Sequence, residues 1–288
     1  MEGLLQAILN GLVAGTILTL PAMGFSAIFA VLRYPSFAVG ALASFGAYAG
    51  WIANHHGGWP VALALPVAFA AAACMGVLAE WLAIRPLEKS GALLMAVASL
   101  ALSFLLENLL RFGFGNDLRG FDLPLLRDIR WGPLRLGPQQ AINMVLALGV
   151  MGAVWAFLRL SHTGRSMRAV ADNPDLALLR GIRPARVAMI TVGMGAGLAG
   201  VGGMLLGLDT SIDPMTGTRL MLSIFAAAVL GGLGSIPGAV AGAMLIGVVE
   251  ELTVLAISPA YRTPVGFVVI LLVLTWRPSG LLVRRAEA

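Results

Sequence analysis

The amino-acid sequence predicts an all-α, polytopic membrane helix bundle of about 8–9 membrane segments, with a broken or re-entrant helix pair. Of its 288 residues, 59% are hydrophobic and 11% are charged, whereas soluble domains average about 45–50% apolar and about 25% charged residues. The 36 glycines suit membrane helices, whose backbones approach closely through small residues. No polar domain interrupts the apolar runs, so residues 1–288 are expected to form a single membrane domain.

Nine apolar runs are the candidate membrane segments, and the second and seventh are short for a crossing that needs about 20 apolar residues. A glycine-rich stretch with an internal proline follows the seventh run and cannot continue a regular helix. The segment 220–257 is therefore predicted to be a broken helix pair near the transport pathway. The break is assigned to Gly231, Gly232, Gly234, Ser235, Pro237 and Gly238. The runs cover residues 4–32, 37–54, 61–84, 92–110, 138–160, 187–208, 220–232, 236–257 and 263–283.

The basic residues are distributed unevenly between the two alternating sets of connections. One set carries 12 of the 19 basic residues and the other carries 7. Because cytoplasmic loops are enriched in Lys and Arg, the richer set is predicted to be cytoplasmic, with the C-terminus inside and the N-terminus outside. The richer set comprises Arg33, Arg85, Lys89, Arg159, Arg165, Arg168, Arg180, Arg183, Arg186, Arg277, Arg284 and Arg285. The other set comprises Arg111, Arg119, Arg127, Arg130, Arg135, Arg219 and Arg262.

The sequence does not support several kinds of chemistry. Lys89 is the only lysine and no glycine-rich phosphate loop surrounds it, so any ATP that drives this protein is expected on another chain. The single cysteine, Cys74, offers no disulfide, and His55 and His56 in an outer turn are not expected to bind a metal. Ser235 lacks the Gly-x-Ser-x-Gly elbow of a nucleophile. No catalytic, cofactor or metal site is assigned, and the chain is expected not to be an enzyme.

Residues 161–186 are the most hydrophilic predicted cytoplasmic segment, and their sequence predicts two short helices. Thr163 is expected to cap a helix over 165–171, and Asn173 is expected to cap the second helix. Gly181 can end that helix in the left-handed conformation. Such a segment is either a docking element for a cytoplasmic partner or a solvated basic loop against lipid headgroups, and the two capped helices favour docking. The apolar positions expected on one face are Leu176, Leu179 and Ile182.

This segment resembles the cytoplasmic loop of LivH-like permeases, the membrane subunits of ABC importers of the branched-chain amino acid type. Residues 228–239 (AVLGGLGSIPGA) are similar to the family's glycine-rich segment, and Arg277-Pro278 also resembles the family, so the resemblance covers nearly the whole chain. At 34–40 the sequence has YPSFAVG, where relatives often carry His and Glu. The ATPase-coupling loop is assigned to Gly164, Arg165, Arg168, Ala169, Ala171, Asp172, Asn173, Pro174, Ala177, Gly181 and Ile182.

The resemblance implies a multi-subunit importer in the bacterial inner membrane. A LivM-like second permease and two ABC ATPase subunits are the implied partners, and a periplasmic binding protein would deliver the solute. The implied cargo is a small polar solute: an amino acid-like compound, urea or an amide, or a small organic acid. Membrane lipid is a further expected partner, and nucleic acid is not. In this scheme ATP binds the partner subunits, and this chain holds no cofactor.

Few polar side chains fall within the predicted membrane segments. Glu107 is expected to pair with Arg111 four residues later on one helix, and ionisable residues in such segments are candidate functional groups. Because burying unpaired charge is costly, a route with few polar groups is expected to bind solute weakly. The alternative function is an ion-coupled secondary transporter or channel, and it would need carboxylates near mid-membrane. The candidate pathway residues are Asn10, Ser103, Glu107, Asn108 and Glu250.

The predicted periplasmic loop 111–137 is rich in charge, glycine and proline. Its residues 129–136 alternate around Gly132-Pro133, which predicts a small β-hairpin. In an importer this face would receive the binding protein. A covering loop without a partner is an equally good interpretation of the sequence.

Overall fold

The computed structural model describes residues 2–122, 129–131 and 134–276, and almost all of them belong to helices. The all-α prediction is thereby confirmed for this part of the chain. The long helices are α1 (Glu2–Leu32), α2 (Ala38–His55), α3 (Val61–Ala79), α4 (Ala92–Phe114), α5 (Pro138–Leu160), α8 (Pro184–Asp209), α9 (Thr216–Gly231), α10 (Ile236–Ala256) and α11 (Arg262–Trp276). The short helices are α6 (His162–Asp172) and α7 (Pro174–Leu179), and the strands are β1 (Ile129–Trp131) and β2 (Leu134–Leu136).

Six helical segments of the described chain are long and apolar enough to cross a membrane. They are Gly3–Leu32, Val61–Ser90, Ala92–Phe114, Pro138–Leu160, Pro184–Asp209 and Ile236–Ala256. The second of them continues α3 through a π-helical turn (Glu80–Ile84) and a 3₁₀ turn (Arg85–Ser90). The remaining long helices, α2, α9 and α11, have 18, 16 and 15 residues. The total of 8–9 membrane segments stays a prediction.

The connections between helices collect at two opposite ends of the bundle. The end that we call the basic face contains 33–37, 85–91, 161–183 and 232–235. The end that we call the hairpin face contains 56–60, 115–122, β1, β2, 210–215 and 257–261. On the hairpin face, residues 119 and 212 exchange backbone hydrogen bonds, and the strands pair antiparallel with Ile129 opposite Leu136. The β-hairpin prediction is confirmed.

Helix α8 lies at the centre and packs against α1, α2 and α3 through small residues. A Cβ added at Gly46 of α2 would overlap the Cα of Gly200 on α8. A Cβ at Gly24 of α1 would overlap the backbone of Gly195. These contacts bring the helix backbones together without large side chains between them. Such close packing is expected in a membrane, where burial of apolar surface does not drive helices to associate.

The predicted break between the seventh and eighth segments is confirmed as a tight turn between α9 and α10. Gly232 and Gly234 adopt φ of 98° and 87°, a region that other residues rarely enter. The hydroxyl of Ser235 accepts a 3.2 Å hydrogen bond from the Gly238 N–H and caps α10. Helix α9 begins on the hairpin face and ends on the basic face, so the turn lies at the basic face.

Candidate functional site

A pocket of about 350 Å³ opens on the hairpin face between α1, α8, α9 and α10. Its lining reaches about halfway along the helices, to Pro21 on α1, Gly202 on α8 and Ser223 on α9. Farther toward the basic face, a fully packed apolar cluster that includes Phe25 and Ile224 follows these residues. The volume suits a small solute.

One side of the pocket carries an ion pair at the start of α9. The guanidinium of Arg219 donates a 2.6 Å hydrogen bond to the carboxylate of Asp213. The hydroxyl of Thr216 donates to the other oxygen of Asp213 at 3.0 Å and accepts from the backbone N–H of Asp213 at 2.9 Å. These bonds fix the Asp213 carboxylate, while the Arg219 side chain remains largely exposed.

The other side carries a carboxylate from α10. The hydroxyl of Ser223 on α9 donates a 2.5 Å hydrogen bond to Glu250. Arg262, at the start of α11, lies 3.5 Å from Glu250 and 2.7 Å from Glu251. Glu250 is 7% exposed, so a buried carboxylate is held by one hydroxyl and one partly exposed guanidinium. Asp209 adds a further carboxylate to the lining.

Groups of both signs therefore face one small pocket, whose lining also includes hydroxyl residues such as Ser211 and apolar residues such as Ile17 and Leu206. A solute with an ammonium and a carboxylate can exchange partners with these ion pairs. An apolar side chain of such a solute can contact the leucine and isoleucine walls. Asp213 is paired with Arg219, and Glu250 is paired with Arg262, so a solute that binds these groups must displace existing contacts.

Of the five predicted pathway residues, only Glu250 lines this pocket. Asn10 accepts a 2.9 Å hydrogen bond from Gln6 of its own helix, and Asn108 donates to the Phe104 carbonyl at 2.8 Å. Ser103 is buried on α4, away from the pocket. The structure therefore places these three side chains elsewhere.

Glu107 ties two helices together. Its carboxylate accepts a 2.6 Å hydrogen bond from Arg111, which confirms the predicted pair, and a 2.8 Å hydrogen bond from the hydroxyl of Thr218 on α9. Glu107 is 4% exposed and does not line the pocket. The pair thus fixes α4 against the start of α9.

Asp213, Arg219 and Arg262 also line the pocket, although they are not among the residues predicted from the sequence. They lie at or just beyond helix ends, where charged residues are ordinarily attributed to solvated loops. The packing of α9, α10 and the start of α11 brings them into the pocket that Glu250 also lines. A signal was present in the sequence, because three acidic and two basic residues lie near the ends of the predicted helix pair 220–257: Asp213, Glu250, Glu251, Arg219 and Arg262.

The coupling loop forms two helices, as predicted, with one correction. Asn173 caps α7, since its side chain accepts hydrogen bonds from the N–H groups of residues 175 and 176, and Gly181 adopts φ of 81°. The prediction that Thr163 caps the first helix is wrong. Ser161 caps α6 by accepting a 2.9 Å hydrogen bond from the Gly164 N–H. Ser161 has the extended backbone that a cap requires, whereas Thr163 already lies inside the helix.

The coupling loop packs against the bundle through an apolar cluster of Met167, Val170, Ala177 and Val187. Ile182 joins this cluster, whereas Leu176 and Leu179 are 60% and 82% exposed. The expectation of one shared apolar face is therefore wrong, because Ala177 rather than the leucines faces the bundle. The exposed leucines of α7 and the exposed arginines of α6 form a surface that remains open in this chain.

The predicted helix break meets the coupling loop and not the pocket. Gly234, Ser235 and Pro237 line a cavity shared with Arg168 of α6. None of these residues lines the pocket on the hairpin face. The second half of α9, beyond Ser223, separates the two regions.

The connection between α1 and α2 also touches the coupling loop. Arg33 has φ of 60°, an uncommon conformation for a side chain with a Cβ, and its guanidinium donates to the Ala171 carbonyl at the end of α6. Tyr34, fully buried, donates a 2.9 Å hydrogen bond to Glu80. Burial, reinforced by the Glu80 charge, raises the pKa of the Tyr34 phenol, which therefore stays a proton donor at physiological pH.

On the hairpin face, the end of α2 anchors the segment that follows α4. His55 contacts the carboxylate of Asp122 at 2.6 Å, and the indole of Trp51 donates to the Gly120 carbonyl at 2.8 Å. The guanidinium of Arg119 lies over the Trp51 ring, 5.5 Å from its centroid. Among the described residues no group of three His, Cys, Asp or Glu is placed to hold a metal ion.

This architecture defines a multi-pass helical membrane protein with a charged pocket on one face and a helical loop on the other. Residues 7–274 match the family described as "Branched-chain amino acid transport system / permease component". The chain belongs to this family of ABC-transporter permease subunits.

Two relatives and one solved structure show the extent of the similarity. The chain is 31% identical to the high-affinity branched-chain amino acid transport system permease protein LivH of Escherichia coli strain K12, over 97% of this chain and 96% of that protein. The match to the corresponding protein BraD of Pseudomonas aeruginosa has the same identity and coverage. The structure of PsaBC from Streptococcus pneumoniae in complex with Fab has a TM-score of 0.50 at 12% identity and covers 92% of this chain and 90% of its own. That likeness concerns the fold alone.

Proposed function

We propose that this chain is the membrane-spanning subunit of a binding-protein-dependent ABC importer in the bacterial inner membrane, and that it moves a small zwitterionic or polar solute. The observation that carries the proposal is the pocket on the hairpin face, which is lined by two ion pairs, Asp213–Arg219 and Glu250–Arg262. Its charges suit an amino acid-like compound better than urea, an amide or an organic acid, because both charges of a zwitterion would find partners. The names of the relatives agree with this solute class.

In this proposal the hairpin face is periplasmic and the basic face is cytoplasmic, following the excess of basic residues. The hairpin face would receive the binding protein and its solute. The exposed surface of α6 and α7 would dock an ATPase subunit, and a LivM-like permease would complete the membrane part. The C-terminus would be cytoplasmic.

Helix α1 links the two ends of the molecule. Ile17 and Pro21 line the pocket, and Arg33 at the other end of the same helix bonds to α6. Pro21 removes one backbone hydrogen bond from the middle of α1, a common point of helix bending. A displacement of α6 by the ATPases would therefore reach the pocket wall through α1. Coupling requires that the nucleotide state favour one arrangement over the other.

The test is uptake into proteoliposomes that contain this permease with its co-purifying subunits and the cognate binding protein. Labelled amino acids, urea and small organic acids are offered outside, with ATP inside. We expect ATP-dependent uptake of amino acids that needs the binding protein. Uptake driven by an ion gradient without ATP would instead identify a secondary transporter.

A further inference from the structure

A second cavity, of about 750 Å³, lies at the basic face and belongs to a different part of the molecule. Helix α5 forms one wall of it, and α1, α6, α8 and the α9–α10 turn form the others. It shares no lining residue with the solute pocket. Helix α5 packs loosely over this cavity, and Trp155 on its surface is 56% exposed.

The length of the cavity equals the depth of one bilayer leaflet. On α5 the lining runs from Leu148 to Arg159, and at 1.5 Å per residue this distance is about 16 Å. Half of a hydrocarbon core is about 15 Å. Along this length most of the lining side chains are apolar, among them Met23, Met151 and Met194. Methionine side chains adapt readily to an irregular apolar guest.

Charge is confined to the end of the cavity at the basic face. The guanidinium of Arg159 lies over the Trp155 ring, 4.8 Å from its centroid, an arrangement typical of residues at the membrane interface. Arg168 lies beside it and donates to the Leu158 carbonyl at the end of α5. Asp172 is the acidic residue of this lining, so the net charge at this end is positive.

We propose that this cavity binds one anionic phospholipid from the leaflet at the basic face. An acyl chain would lie along α5, and the phosphate would contact Arg159 and Arg168. The lipid would then touch α6 and the turn that contains Gly234, the two elements that move if the coupling loop transmits a signal. A zwitterionic phospholipid fits less well, because its ammonium would find only Asp172 opposite two guanidinium groups.

The experiment is native mass spectrometry of the purified permease with phosphatidylglycerol, phosphatidylethanolamine or phosphatidylcholine of identical acyl chains. Because an arginine near a lipid surface contributes roughly a fivefold gain in binding to anionic lipid, we expect Arg159→Gln to weaken phosphatidylglycerol binding about fivefold. Phosphatidylcholine, whose ammonium offsets the charge of its phosphate, should lose less. Lys89→Gln removes a positive charge from the same face outside the cavity and is the matched control. It is expected to retain wild-type binding.

A second variant tests the acyl-chain part of the cavity. A Cβ at Gly152 meets nothing within 4 Å, and Gly152 lines the cavity. Gly152→Leu should narrow the cavity and weaken the binding of all three lipids. Gly149 has the same open surroundings on the same helix but lies outside the lining, so Gly149→Leu should bind lipid like the wild type. The proposal would be overturned if phosphatidylglycerol and phosphatidylcholine bound equally well, or if phosphatidylethanolamine bound more tightly than phosphatidylglycerol. It would also be overturned if the two leucine variants lost lipid binding to the same extent.

Discussion

Arg33, at the end of α1, donates a hydrogen bond to the backbone carbonyl of Ala171, at the end of α6. This bond joins the coupling loop to the helix that lines the solute pocket. Because Arg33 occupies the left-handed region, glycine can replace it without backbone strain. The contact can therefore be removed while the end of α1 is preserved.

We expect Arg33→Gly to lower solute uptake about tenfold, since a hydrogen bond from a charged donor contributes about 1.5–3 kcal/mol. The permease should assemble normally, and the number of ATP molecules hydrolysed for each solute molecule transported should rise. The measurement compares uptake with ATP hydrolysis in proteoliposomes. Arg33→Lys, which keeps the charge, is the control. An unchanged ratio in Arg33→Gly would exclude a role for this contact in coupling.

The exposed surface of the coupling loop is expected to bind an ATPase subunit. Arg165→Glu or Leu179→Asp should reduce co-purification of the ATPase at least tenfold, because each introduces a negative charge on this surface and the second also removes apolar contact area. Arg168→Glu should uncouple transport too, but Arg168 also bonds to Leu158, so its effect includes the junction of α5 and α6. Lys89→Glu is the control at the same face. Full co-purification with Arg165→Glu and with Leu179→Asp would contradict docking at this surface.

The buried carboxylate of Glu250 is expected to take part in solute passage. Glu250→Gln keeps an acceptor for Ser223 but loses its attraction for Arg262, and uptake at low solute concentration should fall about tenfold. Glu251, the adjacent residue, bonds to Arg262 outside the pocket lining. Glu251→Gln should therefore affect uptake much less. Initial rates at several solute concentrations are the measurement, and equal losses in the two variants would remove Glu250 from the pathway.

The α9–α10 turn is expected to be needed for transport more than for assembly. Gly234 has φ of 87°, and a β-branched residue there costs of order 1–3 kcal/mol of backbone strain. Gly234→Val should reduce uptake more than it reduces the amount of assembled complex. Gly234→Asn is the control, because asparagine tolerates this region. Parallel losses of uptake and complex would show that the turn is only structural.

Solute binding to the permease alone is expected to be weak. The charges of the pocket already pair with one another, as Asp213 does with Arg219, so a solute gains only the difference between new and old contacts. Calorimetry on the detergent-solubilised complex without binding protein should show no affinity in the micromolar range. Micromolar or tighter binding would support the secondary-transporter alternative.

Sequence alone was sufficient for most of the helical framework, because most apolar runs have the length of a membrane crossing and are bounded by glycine, proline or charge. The cap at Asn173 and the turn at Gly232 and Gly234 followed from local chemistry. The pocket on the hairpin face did not follow from the sequence, because its lining comes from α1, α8, α9, α10 and the start of α11, which only tertiary packing brings together. The buried face of α7 was misassigned because this helix has only 6 residues. Its sequence pattern is too short to distinguish Ala177 from the neighbouring leucines.

The shortness of α9 has an electrical consequence. Its 16 residues extend about 24 Å, less than the about 30 Å of a hydrocarbon core, and the pocket beside it opens to water down to Ser223. Aqueous ions that enter this pocket are at the electrostatic potential of the solution on the hairpin side. Most of a transmembrane voltage therefore falls across the packed apolar cluster between the pocket and the basic face. A solute with net charge crosses that short barrier at about 2.3 kcal/mol per charge for each 100 mV, whereas a zwitterion crosses it without electrical work.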